Sequence, residues 1–368
     1  MIYLISIFYF FYFSIIGIYI IFMPKVLELI GYSAFEIGII FSSAPLVRFL
    51  VPLLFIKGFR LGNRSFYTAL LVLTFGVVSF FPSIRHFYPL LGSNILFGIG
   101  ISLVLPYVEL ISLSEIGKER YGKSRLFGSI GFMAVALVLV RFLDDPLVAL
   151  NYLATATLVT VFFAFVLVRN AHAFHRKNEH VTNDIDLLRD WRLWLGFMLM
   201  QVSFGAFYNF FTIYETAHGI SMQTTIYLWS FGVLIEIVML YFQGKLLHGD
   251  LLKLLQFTTA ATVIRWILVF LFPAALPVLF FAQALHALSF ALFHSASISY
   301  LYHLYRNRSL AQQLFSGISY GLGGLIGASL AGYIYQYFPD SLFLSSAILA
   351  LGSFYFLRSY ALKIRTKT

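Results

Sequence analysis

The sequence predicts an all-α membrane protein with twelve transmembrane helices in two pseudo-symmetric six-helix bundles. Composition, long apolar stretches and an internal repeat lead there. The 368 residues are 60% hydrophobic and 11% charged, against about 25% charged in soluble domains. Apolar stretches recur from Ile2 to Leu362, most near or above the length, about 20 residues, that crosses a hydrocarbon core as one helix. A soluble fold could not solvate that surface. Forty-two Phe and 23 Tyr suit lipid-facing and interfacial positions, with Tyr at headgroup level. The absence of cysteine excludes disulfides, thiolate metal sites and a cysteine nucleophile.

In order, the predicted spans are 2–23, 34–57, 65–83, 86–114, 125–143, 147–169, 192–214, 222–243, 251–271, 276–305, 311–336 and 340–362. The first lacks a basic leading region and an A-x-A-like cleavage site, so it reads as a retained span. Twelve spans put both termini on one side. Twenty basic residues fall on that side, among them Lys57, Lys118, Arg176, Arg306 and Lys363; only Lys25, Arg85 and Arg141 fall on the other. The positive-inside rule makes the basic side cytoplasmic. The net charge of +10 is thus a topology signal and implies no nucleic-acid partner. The polar segment from His172 to Asp190 predicts a solvated linker between an N-terminal bundle, 1–170, and a C-terminal bundle, 192–368, with 171–191 between them. Its three histidines fit that linker better than a metal tract.

The halves match at an offset of 188 residues. Gly17 falls on Gly205, Gly31-Tyr32-Ser33 on Gly219-Ile220-Ser221, Phe41-Ser42 on Trp229-Ser230, Val47-Arg48 on Ile235-Glu236, and Leu126-Phe127 on Leu314-Phe315. A same-sense repeat of six helices implies a pseudo-two-fold axis along the membrane normal. That is the architecture of major facilitator transporters, with a site expected at mid-membrane between the halves. In the eleventh span Gly317/Gly321 and Gly323/Gly327 have GxxxG spacing, which lets backbones approach closely. These glycines suit either sliding surfaces of a rocking transporter or static packing.

Four charged residues stand out inside spans: Arg48, Glu109, Glu236 and Arg265, one base and one acid per half. Intramembrane charges face protein or water and pair. One reading is a pair of ion bridges fixing helix register. The other has an arginine docking a substrate carboxylate through its planar fork and a glutamate carrying a coupling proton. The rise per residue brings Arg48 and Glu109 within reach of each other, but separates Glu236 from Arg265 by about 10 Å in depth. His286 and His294 share much of one face of the tenth span, with Gln283 a turn from His286. They suit proton relay or helix–helix hydrogen bonds rather than a metal site.

Several stretches carry a family resemblance: VRFLVPLLF at 47–55, LPYVELISL at 105–113, YGKSRLFGSIGF at 121–132, YLWSFGVLIEIV at 227–238, VIRWIL at 263–268, QALHALSFALFH at 283–294 and AGYIYQYF at 331–338. The chain resembles the phenylpropionate permease type of the major facilitator superfamily, related to proton-linked nucleoside symporters. The resemblance implies proton-coupled uptake of an aromatic or other small organic acid across a bacterial inner membrane. Two positions depart from it. Phe59 stands where the signature of the second connection has Asp, and Glu109 where the fourth span commonly has Asp.

In this architecture the first and seventh spans wall the cavity. Here they offer Tyr12 and Tyr19, then Gln201, Tyr208 and Asn209, alongside Phe204 and Phe207. Such aromatic walls with few polar groups suit a ring-bearing ligand. Lys123 and Arg125 read as a cytoplasmic gate or a basic anchor. No Walker loop, dinucleotide turn or HExxH is present, so neither nucleotide drive nor metal hydrolysis is supported. The expectation is a monomeric secondary transporter, with a small-molecule substrate, lipid around it and no cofactor beyond a coupling proton. A nucleoside symporter or a multidrug exporter is the alternative within that class. A polytopic enzyme or receptor fits less well, because the acids and histidines spread over both halves and no sizeable soluble module is encoded.

Overall fold

The computed structural model describes residues 1–56, 62–142, 147–171 and 185–365. The linker histidines His172, His175 and His180, with Phe59 and Arg60 of the second connection, lie outside the described residues. Among the described residues there is no strand, and eleven helices are long and apolar enough to cross a membrane. In the N-terminal half these are α1 Ile2–Leu29, α2 Ala34–Ile56, α3 Asn63–Ser83 and α4 Phe87–Gly117. After a break at Gly117 the chain resumes as α5 over 118–139, followed by α6 Val148–Asn170. The C-terminal half has α7 Trp191–Ala217, α8 Met222–Phe242, α9 Leu251–Leu271, α10 Leu276–Leu304, α11 Arg308–Tyr337 and α12 Pro339–Ile364. With α5 this is the predicted order of twelve. α1 runs past the predicted end at residue 23, because a π-helical turn at Ile18–Phe22 makes room for Pro24 in the turn that follows. α5 starts before 125, since helical geometry returns directly after Gly117.

The helices gather into two compact units, Met1–Asn178 and Glu179–Thr368. In the first, α4 packs between α2 and α3, where Gly98 meets Ala44 and Gly100 meets Leu73. α1 crosses α5, with Gly131 against Phe10, and α6 packs on α1 and α3. In the second unit α12 packs on α7 and α9, α8 on α10, and α7 on α11. Gly323 and Gly327 face Met198, Val202 and Gly205 of α7, so these two glycines make packing contacts inside their own unit.

The repeat is visible in local geometry. α1 ends in Gly31 at φ 103° and α7 in Gly219 at φ 84°, a left-handed conformation that only glycine adopts without strain. At both ends the two residues after the cap close back onto the helix: Gly31 N donates to Glu28 O and Tyr32 N to Leu27 O, while Gly219 N donates to Thr216 O and Ile220 N to Glu215 O. These are Schellman endings. The serine that follows caps the next helix in each half. Ser33 accepts from Glu36 N and Ser221 from Thr224 N, satisfying an orphan N–H of the first turn.

Candidate functional site

In the C-terminal unit α9 buries Arg265 completely, beside a fully buried Trp266. An isolated cation cannot be desolvated without hydrogen-bond partners, and α10 supplies three. Arg265 Nη1 donates to His286 Nδ1 at 2.8 Å and to Ser289 Oγ at 3.1 Å, and Nη2 donates to Gln283 Oε1 at 3.0 Å. Residues 283, 286 and 289 lie three apart, and a π-helical turn at Ala287–Leu292 begins within them. Rings close the rest of the site. The guanidinium carbon is 4.3 Å from the Phe207 ring centroid, 4.4 Å from Trp266 and 5.6 Å from Phe204, distances at which a cation is attracted to an aromatic face.

Glu236 enters from α8. Its Oε2 is 3.5 Å from His286 Nε2, and its side chain is 15% exposed against 7% for the histidine. Gly232, one turn earlier, brings α8 close to Gln283 and the His286 Cβ. The acid and base that the sequence separates in depth are therefore joined through His286. Along α10, Phe290 stacks on His286 at 5.2 Å and on His294 at 6.5 Å. His294 Nδ1 contacts Tyr320 Oη of α11 at 2.7 Å.

The N-terminal unit gathers a second group around Glu109 of α4. Tyr121 donates to Glu109 Oε1 at 3.3 Å, and Arg125 Nε lies 3.8 Å from the same oxygen. Arg125 rests on the Phe13 ring at 3.9 Å and near Tyr9 at 5.5 Å. Arg48 is half-buried on α2 and acts on Glu109 and Tyr12 electrostatically. Glu109 is thus bridged by Arg125, a residue the sequence suggests for a gate, rather than by Arg48. Lys123 is exposed.

The aromatic positions divide. Tyr12 is buried and donates to Ile101 O at 3.0 Å. Tyr19 donates to Asn94 Oδ1 at 2.8 Å, and Asn94 Nδ2 in turn donates to Ile40 O at 2.6 Å and Ser43 Oγ at 2.9 Å. Gln201 is buried beside Gly323. Tyr208 and Asn209 are half-buried, and Asn209 donates to Gly205 O at 2.8 Å. Two features escaped sequence reasoning. Ser289 looks like any small residue of an apolar helix until α10 is placed on α9. Glu215, near the end of α7, is fully buried with both carboxylate oxygens unpartnered among the described residues. An acid inside an apolar stretch was a signal available for it.

Two units of packed apolar helices, each holding an acid and a base within the membrane-crossing segments, fit a multi-pass membrane transporter. The chain belongs to the MFS_1-like family of the major facilitator superfamily, which matches residues 2–345. It is similar to the "Probable 3-phenylpropionic acid transporter" of Escherichia coli (strain K12), with 28% identity over 94% of each chain. Its fold is similar to that of the nucleoside transporter NupG, with a TM-score of 0.79 at 14% identity over 98% of each chain. It is also similar to the human organic anion transporter MFSD10, with a TM-score of 0.65 at 16% identity over 97% of this chain and 98% of that one.

Proposed function

We propose that this transporter takes up an aromatic or other small organic acid, such as 3-phenylpropionate, together with protons and by alternating access. The observation that carries the reading is the line Arg265–His286–Glu236, which joins a buried cation to a half-buried acid through a ring. A carboxylate arriving near such a line competes for the positive charge and alters how readily the acid holds a proton. The name of the Escherichia coli relative supports the substrate class. The excess of basic residues on one side supports cytoplasmic termini, and the likeness to the Escherichia coli relative supports a bacterial inner membrane. It works as a monomer, without a cofactor or nucleic acid, on a small-molecule substrate.

The test is a ligand-stability screen of the purified protein at two pH values against aromatic acids, nucleosides and cationic drugs. Stabilisation by aromatic acids, stronger at the lower pH, is expected. Stabilisation confined to cationic drugs overturns the carboxylate reading.

A further inference from the structure

We infer that His286 is a neutral, fixed-tautomer bridge and that, on the line Arg265–His286–Glu236, Glu236 rather than the ring carries the coupling proton. The inference rests on the proton coupling proposed above. It follows from which atoms can donate. A guanidinium has five N–H donors, no acceptor and a permanent charge. Its 2.8 Å contact with His286 Nδ1 therefore requires a lone pair on Nδ1. A neutral imidazole with that lone pair carries its hydrogen on Nε2. Nε2 is the atom that faces Glu236 Oε2, at 3.5 Å, the outer limit of a hydrogen bond. The ring thus accepts from the arginine on one side and turns its N–H towards the acid, 3.5 Å away, on the other.

A second proton on the ring has no place. It would set an N–H on Nδ1 against the N–H of Arg265, and an imidazolium against a guanidinium. The titratable groups that face the ring are few. Arg265 comes from α9 and Glu236 from α8, and Tyr208 of α7 acts on the arginine electrostatically. Gln283 and Ser289 are neutral, and Phe204, Phe207 and Phe290 are apolar rings. Among the described residues of the line, Glu236 is the one carboxylate, and it stands at the less buried end. When it takes one, an O–H bond forms, its charge falls to zero, and the carboxyl no longer answers the positive charge of Arg265 through the ring. His286 is therefore a positioning residue.

Glutamine offers the same pair of contacts: an amide oxygen to accept from Arg265 and an amide N–H to donate to Glu236. This gives a conservative variant that cannot carry a proton. In proteoliposomes His286→Gln is expected to keep pH-dependent uptake within about threefold of the parent, with the same pH profile. His286→Phe, which keeps a ring and loses both contacts, lowers uptake by about tenfold or more. Glu236→Gln abolishes the pH dependence. Independently of transport, the ¹⁵N NMR signals of His286, assigned by difference with His286→Gln, show the Nε2–H tautomer unchanged between about pH 5 and 8. Loss of pH dependence in His286→Gln, or a titration of the ring in that range, overturns the inference. Parent uptake that ignores pH removes proton coupling, and Glu236 as its carrier with it. The tautomer is read without transport, so the two failures are told apart.

Discussion

Gly205→Ala tests the packing on which the C-terminal unit depends. A Cβ at Gly205 would meet Gly327 O at 2.2 Å, its carbonyl carbon at 2.3 Å and its Cα at 2.6 Å. Ordinary contacts of a Cβ begin at 3.4 Å, so α7 and α11 must separate by about 1.2 Å. All three obstructing atoms are backbone, and no rotamer change relieves them. Overpacking of this kind costs about 1–3 kcal/mol, occasionally more, and the backbone clash puts Gly205→Ala at about 3 kcal/mol. Gly323→Ala is milder, because its Cβ meets Met198 O at 2.9 Å and Gln201 Cβ at 3.1 Å; about 1 kcal/mol is expected. Gly92→Ala is the control. Nothing lies within 4 Å of its Cβ, and alanine in a helix is favoured over glycine by about 0.5–1 kcal/mol. Thermal unfolding of the purified variants in detergent micelles should rank Gly92→Ala highest, then the parent, Gly323→Ala and Gly205→Ala. If Gly205→Ala unfolds with Gly92→Ala, the close crossing of α7 and α11 is wrong.

Three further outcomes are expected. Glu215→Met should raise stability by about 1–3 kcal/mol, since it removes two buried oxygens without partners; a lower melting temperature would show that the carboxyl is held. Asn94→Leu should cost about 1–3 kcal/mol, because it leaves the buried Tyr19 hydroxyl without its acceptor, while the Ile40 carbonyl still accepts from Ser43 Oγ at 2.8 Å; adding Tyr19→Phe should recover part of the loss in a double-mutant cycle. Tyr305→Phe should cost about 1–3 kcal/mol, because Tyr305 donates to the buried Asp190 at 2.8 Å and accepts from Trp194 Nε1 at 3.3 Å. Burial first, and then the hydrogen bond to Asp190, push the Tyr305 phenol up. Its contribution is therefore complete below the unfolded value of about 10 and lost as pH rises above the native one. Denaturation of the parent and Tyr305→Phe at neutral and strongly alkaline pH should show the difference shrinking on the alkaline side.

Much of the fold is legible in the sequence because the bilayer asks for few things. A helix must be long and apolar, so span order and count can be read from composition. The offset of 188 survives where backbone geometry is demanding, as at Gly31 and Gly219 with the serine caps after them. The charged residues were legible for the same reason, since each stands alone in an apolar stretch. Their pairing was not. Depth along separate helices argues against a contact between Glu236 and Arg265, and a third side chain, His286, closes the gap. Arg125 sits outside the predicted core of its span, yet its long arm lies along Gly128 and reaches Glu109. Such reach depends on helix rotation, which an apolar stretch without a polar face leaves unspecified.

Counting, rather than chemistry, governs the stretch between the two histidines of α10. Eight residues separate them, whereas two regular turns take about seven. The wide turn at Ala287–Leu292 absorbs the surplus, and both rings rest on Phe290. A substitution inside the turn leaves that phase intact. Deleting one residue from it would rotate everything beyond by about 100°, carrying His294 away from Tyr320 while leaving the helix as greasy as before. This span can therefore drift in sequence over time far more freely than it can change in length.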